Sequence, residues 1–205
     1  VHRGIVALTK ADLADDARRA EVTAQIATTL AGTGLAGAPV IPVSSLTGEG
    51  IATLRDLLAV AEAETTARAT DARFRLTVDR SFTLKGAGTV VTGTVQSGRV
   101  AVGDGVTVAP SGLTARVRAI HAQNQPAEIG VAGQRCALNL AGDGITREAI
   151  HRGNVVLDPA LHAPTARIDA ELTVLGGEPK PISTWFPARL HVGAAETGAP
   201  IVPLG

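Results

Sequence analysis

Gly4-Ile5-Val6-Ala7-Leu8-Thr9-Lys10-Ala11-Asp12 is an apolar run that ends in a short polar loop. A second run and loop follow at Pro39-Val40-Ile41-Pro42-Val43 and Ser44-Ser45-Leu46. Between them Asp15–Leu30 carries Ala20, Ile26, Ala27 and Leu30 on a helical stripe, and Gly32 supplies a stop. Ile51, Leu54, Leu57, Leu58 and Ala61 repeat the helical spacing after the second loop. Two buried strands joined by a helix make a parallel βαβ unit with a right-handed crossover. In open α/β sheets ligands sit beyond the carboxyl ends of the strands. Both polar loops lie there.

The loop chemistry suits a guanine base. Guanine presents N1–H and an exocyclic amino group on one edge, and the Asp12 carboxylate can accept from both. Adenine has an acceptor at N1 and no amino group at C2, so it leaves that carboxylate unpaired. A buried hydrogen-bonding site discriminates by about 10⁴-fold on this basis. Lys10 can lay its methylene stem along the base, and the turn at Ser44, Ser45 and Leu46 can aim backbone N–H groups at guanine O6. The phosphate half is absent from these residues. There is no G-x-x-x-x-G-K-[ST], and residues 1–66 contain no D-x-x-G after a strand. Gly32-Thr33-Gly34-Leu35-Ala36-Gly37 matches G-x-G-x-x-G, but it follows a helix and leads into a strand. A dinucleotide fingerprint needs the reverse order, so this stretch reads as an αβ loop.

Composition narrows the classes further. The 205 residues carry no net charge, so nothing draws the whole chain toward nucleic acid or anionic lipid. One cysteine excludes a disulfide framework and a zinc ribbon. The five histidines show no ligand spacing, and no metal site is expected. The apolar residues fall in short runs, well under the roughly 18 to 20 that a membrane helix needs. No signal peptide opens the chain, which gives no membrane partner and a cytoplasmic location as the expectation. The absence of Met and a first strand already under way at Val1 read as an interior segment of a longer protein.

Residues 62–73 lack a strong apolar period and read as a linker. Beyond them the pattern changes to alternation. Phe74, Leu76 and Val78 point one way, and Thr89–Val95, Gly105–Ala109, Thr114–Ile120 and Arg135–Ala141 continue as short strands punctuated by Gly and Pro. This spacing predicts a closed β-barrel. From Thr165 a third segment begins, with Ile168, Ala170, Leu172 and Val174 alternating, then strand-like runs at Ala188–Val192 and Ile201–Leu204. The expected domains are 1–66, a linker at 67–73, a barrel at 74–163 and a partial β domain at 164–205. If Cys136, Leu138 and Leu140 face the barrel core, Arg135 faces out. Arg116 and Arg118 alternate likewise, Arg80 follows Asp79 at the end of the first barrel strand, and His121 ends the 114–120 strand.

The stretch Gly86-Ala-Gly88-Thr-Val-Val-Thr-Gly93-Thr-Val-Gln-Ser-Gly98-Arg-Val-Ala-Val-Gly103-Asp104 resembles the second domain of translation GTPases of the elongation factor Tu type. Thr9-Lys10-Ala11-Asp12 and Ser44-Ser45-Leu46 are similar to the guanine loops of that superfamily, with Thr9 in place of the usual Asn and Leu46 in place of the usual Lys. Val78–Phe82, Arg116–Pro126, Gly133–Gly142 and Trp185–Glu196 resemble the selenocysteine-specific branch. The resemblance implies an α/β plus all-β chain. It would comprise the C-terminal half of a P-loop GTPase-like parallel sheet domain, an elongation-factor β-barrel and the start of a second β-barrel. It implies a GTPase with GTP or GDP as cofactor, and Mg²⁺ and catalytic residues upstream of Val1, so that this segment alone would be inactive. It implies selenocysteyl-tRNA and the ribosome as partners, with an mRNA hairpin gripped by winged-helix repeats beyond Gly205. By analogy Arg135 and Arg80 would lie beside the selenolate, Asp79 would orient Arg80, and His121 would be a further pocket residue. A general aminoacyl-tRNA carrier of the same architecture, and a β-barrel binding module without nucleotide chemistry, are the alternatives. An arginine at 135 and the Asp79–Arg80 pair argue against a neutral pocket.

Overall fold

The computed structural model describes residues 3–65, 69–174 and 180–204. They fall into two compact units, Val1–Thr66 with Glu171–Pro181, and Ala67–Ala170 with Ile182–Gly205.

The first unit is the expected βαβ arrangement. Strand β1 (Val6–Thr9) pairs in parallel with β2 (Val40–Val43), and α1 (Asp16–Leu30) forms the crossover. Asp15 caps α1, its carboxylate accepting from the Arg18 N–H at 2.8 Å. The half-buried side of α1 is Val22, Thr23, Ile26 and Leu30, whereas Ala20 and Ala27 are exposed. The longer aliphatics at spacing four set the helix phase, and alanines carry too little area to compete. The glycine-bearing stretch after α1 forms turns leading into β2, as the loop reading expects. Helix α2 (Ile51–Ala63) follows, so the stretch read as a linker from Glu62 begins inside a helix; residues 66–68 of it lie outside the described residues.

The second unit is built on a closed barrel. Its remaining strands are β3 (Arg75–Leu84), β4 (Gly88–Ser97), β5 (Arg99–Ala101), β6 (Gly105–Ala109), β7 (Leu113–Ala122), β8 (Gln125–Ala127), β9 (Ile129–Val131), β10 (Arg135–Ala141), β11 (Val155–Leu157), β12 (Arg189–Val192) and β13 (Ala195–Gly198). Six strands close the ring in the order β10-β4-β3-β11-β6-β7, with β7 returning to β10. β8 extends β7, and β5 pairs with β9 as a separate ribbon. The core is small and aliphatic, as a chain with 2% aromatics requires. Leu76, Val78, Val91, Val95, Val108, Val117, Leu138 and Val156 are all at most 1% exposed. Each such side chain contributes about 1.5–3 kcal/mol relative to an exposed one.

After the barrel, β12 and β13 form a hairpin and Phe186 bridges to Ile201. The alternation at Ile168–Val174 does not become a strand. Ile168, Leu172 and Val174 are about half exposed and have no strand partner among the described residues. Alternation specifies a strand only where a second strand takes its backbone groups.

Candidate functional site

Two sets of polar residues are brought together, one in each unit. In the first, the register Thr9↔Val43 ends β1 and β2 side by side, so both loops leave from the same edge. Lys10 exits β1 in the left-handed region, at φ 59°. Its carbonyl accepts from the Leu13 N–H at 3.0 Å, closing a 3₁₀ turn over Ala11–Leu13. Ala11 is buried and anchors the turn, while Asp12 is exposed. Neither the Lys10 nor the Asp12 side chain is engaged in a hydrogen bond or ion pair among the described residues.

In the second loop Ser44 is 1% exposed, and its Oγ accepts from the N–H groups of Leu46 and Thr47, both at 3.2 Å. Of the donors expected to face a base, that of Leu46 is therefore turned toward Ser44, and that of Ser45 is unengaged among the described residues. The Ser44 N–H donates to the Glu49 carbonyl at 3.0 Å, which closes the loop on itself. At Gly50 (φ 70°) a Cβ would lie 2.0 Å from the Pro42 carbonyl oxygen, so only glycine permits this return.

Sequence pattern did not single out Arg19, which touches both loops. From α1, its Nε donates to the carbonyls of Ala11 and Ala14, both at 3.1 Å. Its Nη2 donates to Ala11 O at 2.6 Å, and the two terminal nitrogens take the Glu49 carboxylate at 2.7 and 3.2 Å. No signal in the Arg18-Arg19 pair distinguishes the second arginine from the first; only helix phase does.

The second set lies on the outer wall of the barrel. Leu138, Leu140 and Cys136 face the core, and Arg135 faces out, as the alternation requires. Burial pushes the Cys136 thiol up, which suits a packing residue. The β3–β4 ladder slips between Val78 and Arg80, so Asp79 is the extra residue of a β-bulge. Val78 and Ser81 flank the bulge on the inner side, and both Asp79 and Arg80 lie outside. At Gly93, opposite the bulge, a Cβ would meet the Thr77 carbonyl oxygen at 2.0 Å.

Asp79 does not pair with Arg80, as the adjacency in sequence suggests. It accepts from Arg135 through both carboxylate oxygens, and from the Thr92 hydroxyl at 2.6 Å. Register decides this, because the bulge turns Asp79 toward β4 and β10. The Arg135 hydrogen bond is the main cause that holds the Asp79 carboxyl below its usual range, against a smaller desolvation effect. The same contact raises the Arg135 guanidinium. Cross-strand pairing then sets out a row: Arg80 opposes Thr92, Thr92 opposes Ala137, and Ala137 opposes His121. His121 is inside β7, which runs on to Ala122, rather than at its end. All four residues expected in an anionic pocket therefore share one face, with Thr92 and Ala137 as a small-residue floor between them. Thr92 is the member that the sequence reading missed.

Residues 88–157, which make up most of the barrel, match the family model described as elongation factor Tu domain 2. The selenocysteine-specific elongation factor of Escherichia coli (strain K12) is 44% identical over 191 residues, which cover 93% of this chain and 30% of that protein. Over nearly its whole length this chain is similar to one segment of the selenocysteine-specific elongation factors. Solved structures of such factors carry the same fold. The crystal structure of a bacterial selenocysteine-specific elongation factor superposes with a TM-score of 0.79 at 26% identity, covering 100% of this chain and 34% of that one. Translation elongation factor SelB from Methanococcus maripaludis, in complex with the GTP analogue GppNHp, gives 0.78 at 27% identity, covering 95% and 43%. The chain thus spans less than half the length of these selenocysteine-specific factors.

Proposed function

We propose that the protein carrying this chain is a GTP-dependent elongation factor of the cytoplasm, which delivers selenocysteyl-tRNA to the ribosome at a recoded stop codon. Asp12 reads the donor edge of guanine, Lys10 covers one face of the base, and the turn at Ser44, Ser45 and Leu46, beside Thr9, supplies backbone contacts. The free side chains of Lys10 and Asp12 and the unengaged Ser45 N–H support this reading. Residues 1–66 carry no G-x-x-x-x-G-K-[ST], so we place Mg²⁺ and the triphosphate on other parts of the nucleotide domain. GTP hydrolysis, by an activated water, belongs there too.

The observation that carries the tRNA assignment is the Arg135–Asp79–Thr92 cluster on the outer wall of a domain-2-type barrel. Arg80 and Arg135 against Asp79 leave one net positive charge on this face. A selenol is more acidic than a thiol and is largely ionised at neutral pH, whereas serine stays neutral. Cations beside the side chain thus favour selenocysteine over serine through a charge-assisted contact that only the selenolate can make. Asp79 holds the Arg135 fork in one orientation, Arg80 adds charge, and His121 closes the row. The bulk of the tRNA and the mRNA hairpin are met elsewhere, the hairpin through winged-helix domains outside this chain.

The test uses the full-length gene product. Arg135→Ala should weaken binding of selenocysteyl-tRNA by about tenfold and leave seryl-tRNA on the same tRNA body and GTP nearly unchanged. Equal retention of selenocysteyl-tRNA by wild type and variant removes Arg135 from the pocket.

A further inference from the structure

The βαβ unit contains two arginines in consecutive positions of α1 with very different surroundings. Arg18 pairs with Glu21 one turn along the same helix, at 57% side-chain exposure. Such a pair is an ordinary surface contact. Arg19 is 22% exposed and, apart from a 4.0 Å approach to Asp16, makes its contacts off the helix. Its guanidinium takes the carbonyls that bracket Asp12 on either side, Ala11 and Ala14, and the carboxylate of Glu49. The Glu49 backbone in turn closes the loop that begins at Ser44. One rigid fork therefore spans the carboxylate-bearing turn and the serine turn, with every contact inside this unit.

We propose that Arg19, oriented by Glu49, is a positioning residue that fixes the Asp12 turn relative to the Ser44 turn and so sets selectivity for guanine nucleotides. The inference rests on the reading of these loops as a guanine site. Three features carry it. The first turn is a single 3₁₀ turn that starts from a left-handed lysine, so its own backbone holds it weakly. The two loops share no ladder beyond Thr9 and Val43, where the strand pairing ends. The guanidinium meets a carboxylate bidentately on one side and carbonyls on the other, an arrangement that a lysine ammonium cannot reproduce. A carboxylate that must accept two donors from one base edge is sensitive to its placement, because both bonds share one geometry.

Full-length protein and its Arg19→Lys, Arg19→Ala and Glu49→Gln variants are tested for GDP and inosine diphosphate binding by equilibrium dialysis. Inosine diphosphate keeps N1–H and lacks the amino group, so it makes one of the two bonds to Asp12 and depends less on where that carboxylate sits. Both Arg19 variants should lose about tenfold in GDP affinity and under about threefold in inosine diphosphate affinity, with lysine no better than alanine. Glu49→Gln, which keeps one acceptor, should fall between them and wild type. A merely structural role would lower both affinities together. An unchanged ratio of the two affinities in Arg19→Lys overturns the inference; if the Arg19 variants do not fold, an unchanged ratio in Glu49→Gln overturns it. Asp12→Asn separates this from the underlying reading, since an asparagine amide donates to the O2 of xanthine and should turn preference toward xanthosine diphosphate. A switch in that variant with unaltered ratios in the others keeps the guanine site and removes Arg19. No guanine preference in the wild type removes both.

Discussion

The barrel and the βαβ unit hold their polar residues in place by opposite means. In the barrel, charged and hydroxyl side chains stand on a wall whose reverse side is filled by fully buried Leu76, Val78, Val91 and Leu138. Strand register alone sets the order Arg80, Thr92, Ala137, His121. In the βαβ unit neither helix buries a residue completely. There the loops are tied by polar tethers: the Ser44 hydroxyl, the Asp15 cap and the Arg19 fork. The lesson is that a deep core lets a site be positioned by side-chain parity, whereas a shallow one needs a dedicated side chain for each constraint.

The largest effect that separates the two comes from cavity formation. Leu138→Ala, at a residue with no exposure, should cost about 3 kcal/mol, while Leu57→Ala in α2, half-buried, should cost under about 1 kcal/mol. Urea unfolding followed by circular dichroism measures both, and similar costs would erase the contrast.

A smaller effect sharpens the electrostatic side. The Asp79 carboxyl is held below its ordinary range in the folded barrel, so its contribution is complete above the unfolded value of about 4 and is lost as pH falls through the folded value. Asp79→Asn should therefore lower stability at neutral pH, by no more than about 1 kcal/mol for a pair that is partly exposed, and the two proteins should converge in acid. Thermal melts of both across pH 2 to 7 (about that span covers the transition) test the sign. A difference that grows toward low pH would contradict the assignment.

The smallest effect concerns Ser81. Its hydroxyl is buried, has no hydrogen-bond partner among the described residues and lies in register with fully buried Val91. Ser81→Ala should be neutral or stabilising by up to about 1 kcal/mol, because it removes an unsatisfied group without leaving a large void. A clear loss of stability in urea would show that the hydroxyl has a partner.

Much of this was legible from residues alone, for reasons that differ by element. Arg135–Ala141 is a strand to the residue because its burial alternates strictly, and Gly105–Ala109 because a short run with Val106, Thr107 and Val108 all buried is bounded by turn residues. The three-residue strands Arg99–Ala101, Gln125–Ala127, Ile129–Val131 and Val155–Leu157 are too short to carry a period. Both polar loops were visible because they interrupt apolar runs. The partner of Asp79 was not, since adjacency suggested Arg80 while pairing across strands selects Arg135. Arg19 was hidden for a related reason: what it touches lies thirty residues away at Glu49, and a lone cation on a helix gives no hint of that.

The bulge at Asp79 reaches beyond the pocket. Ordinary pleating binds each residue's side to whether its place in the strand is odd or even, and one extra residue resets that count for everything after it. Without position 79 the strand would run Val78 in, Arg80 out, Ser81 in and Phe82 out, so the core would keep its lining and the wall would lose only its acid. The extra residue is thus what lets two charged neighbours, Asp79 and Arg80, stand in succession on one wall, and a chain lacking it could keep a filled barrel with no carboxylate to hold the Arg135 fork.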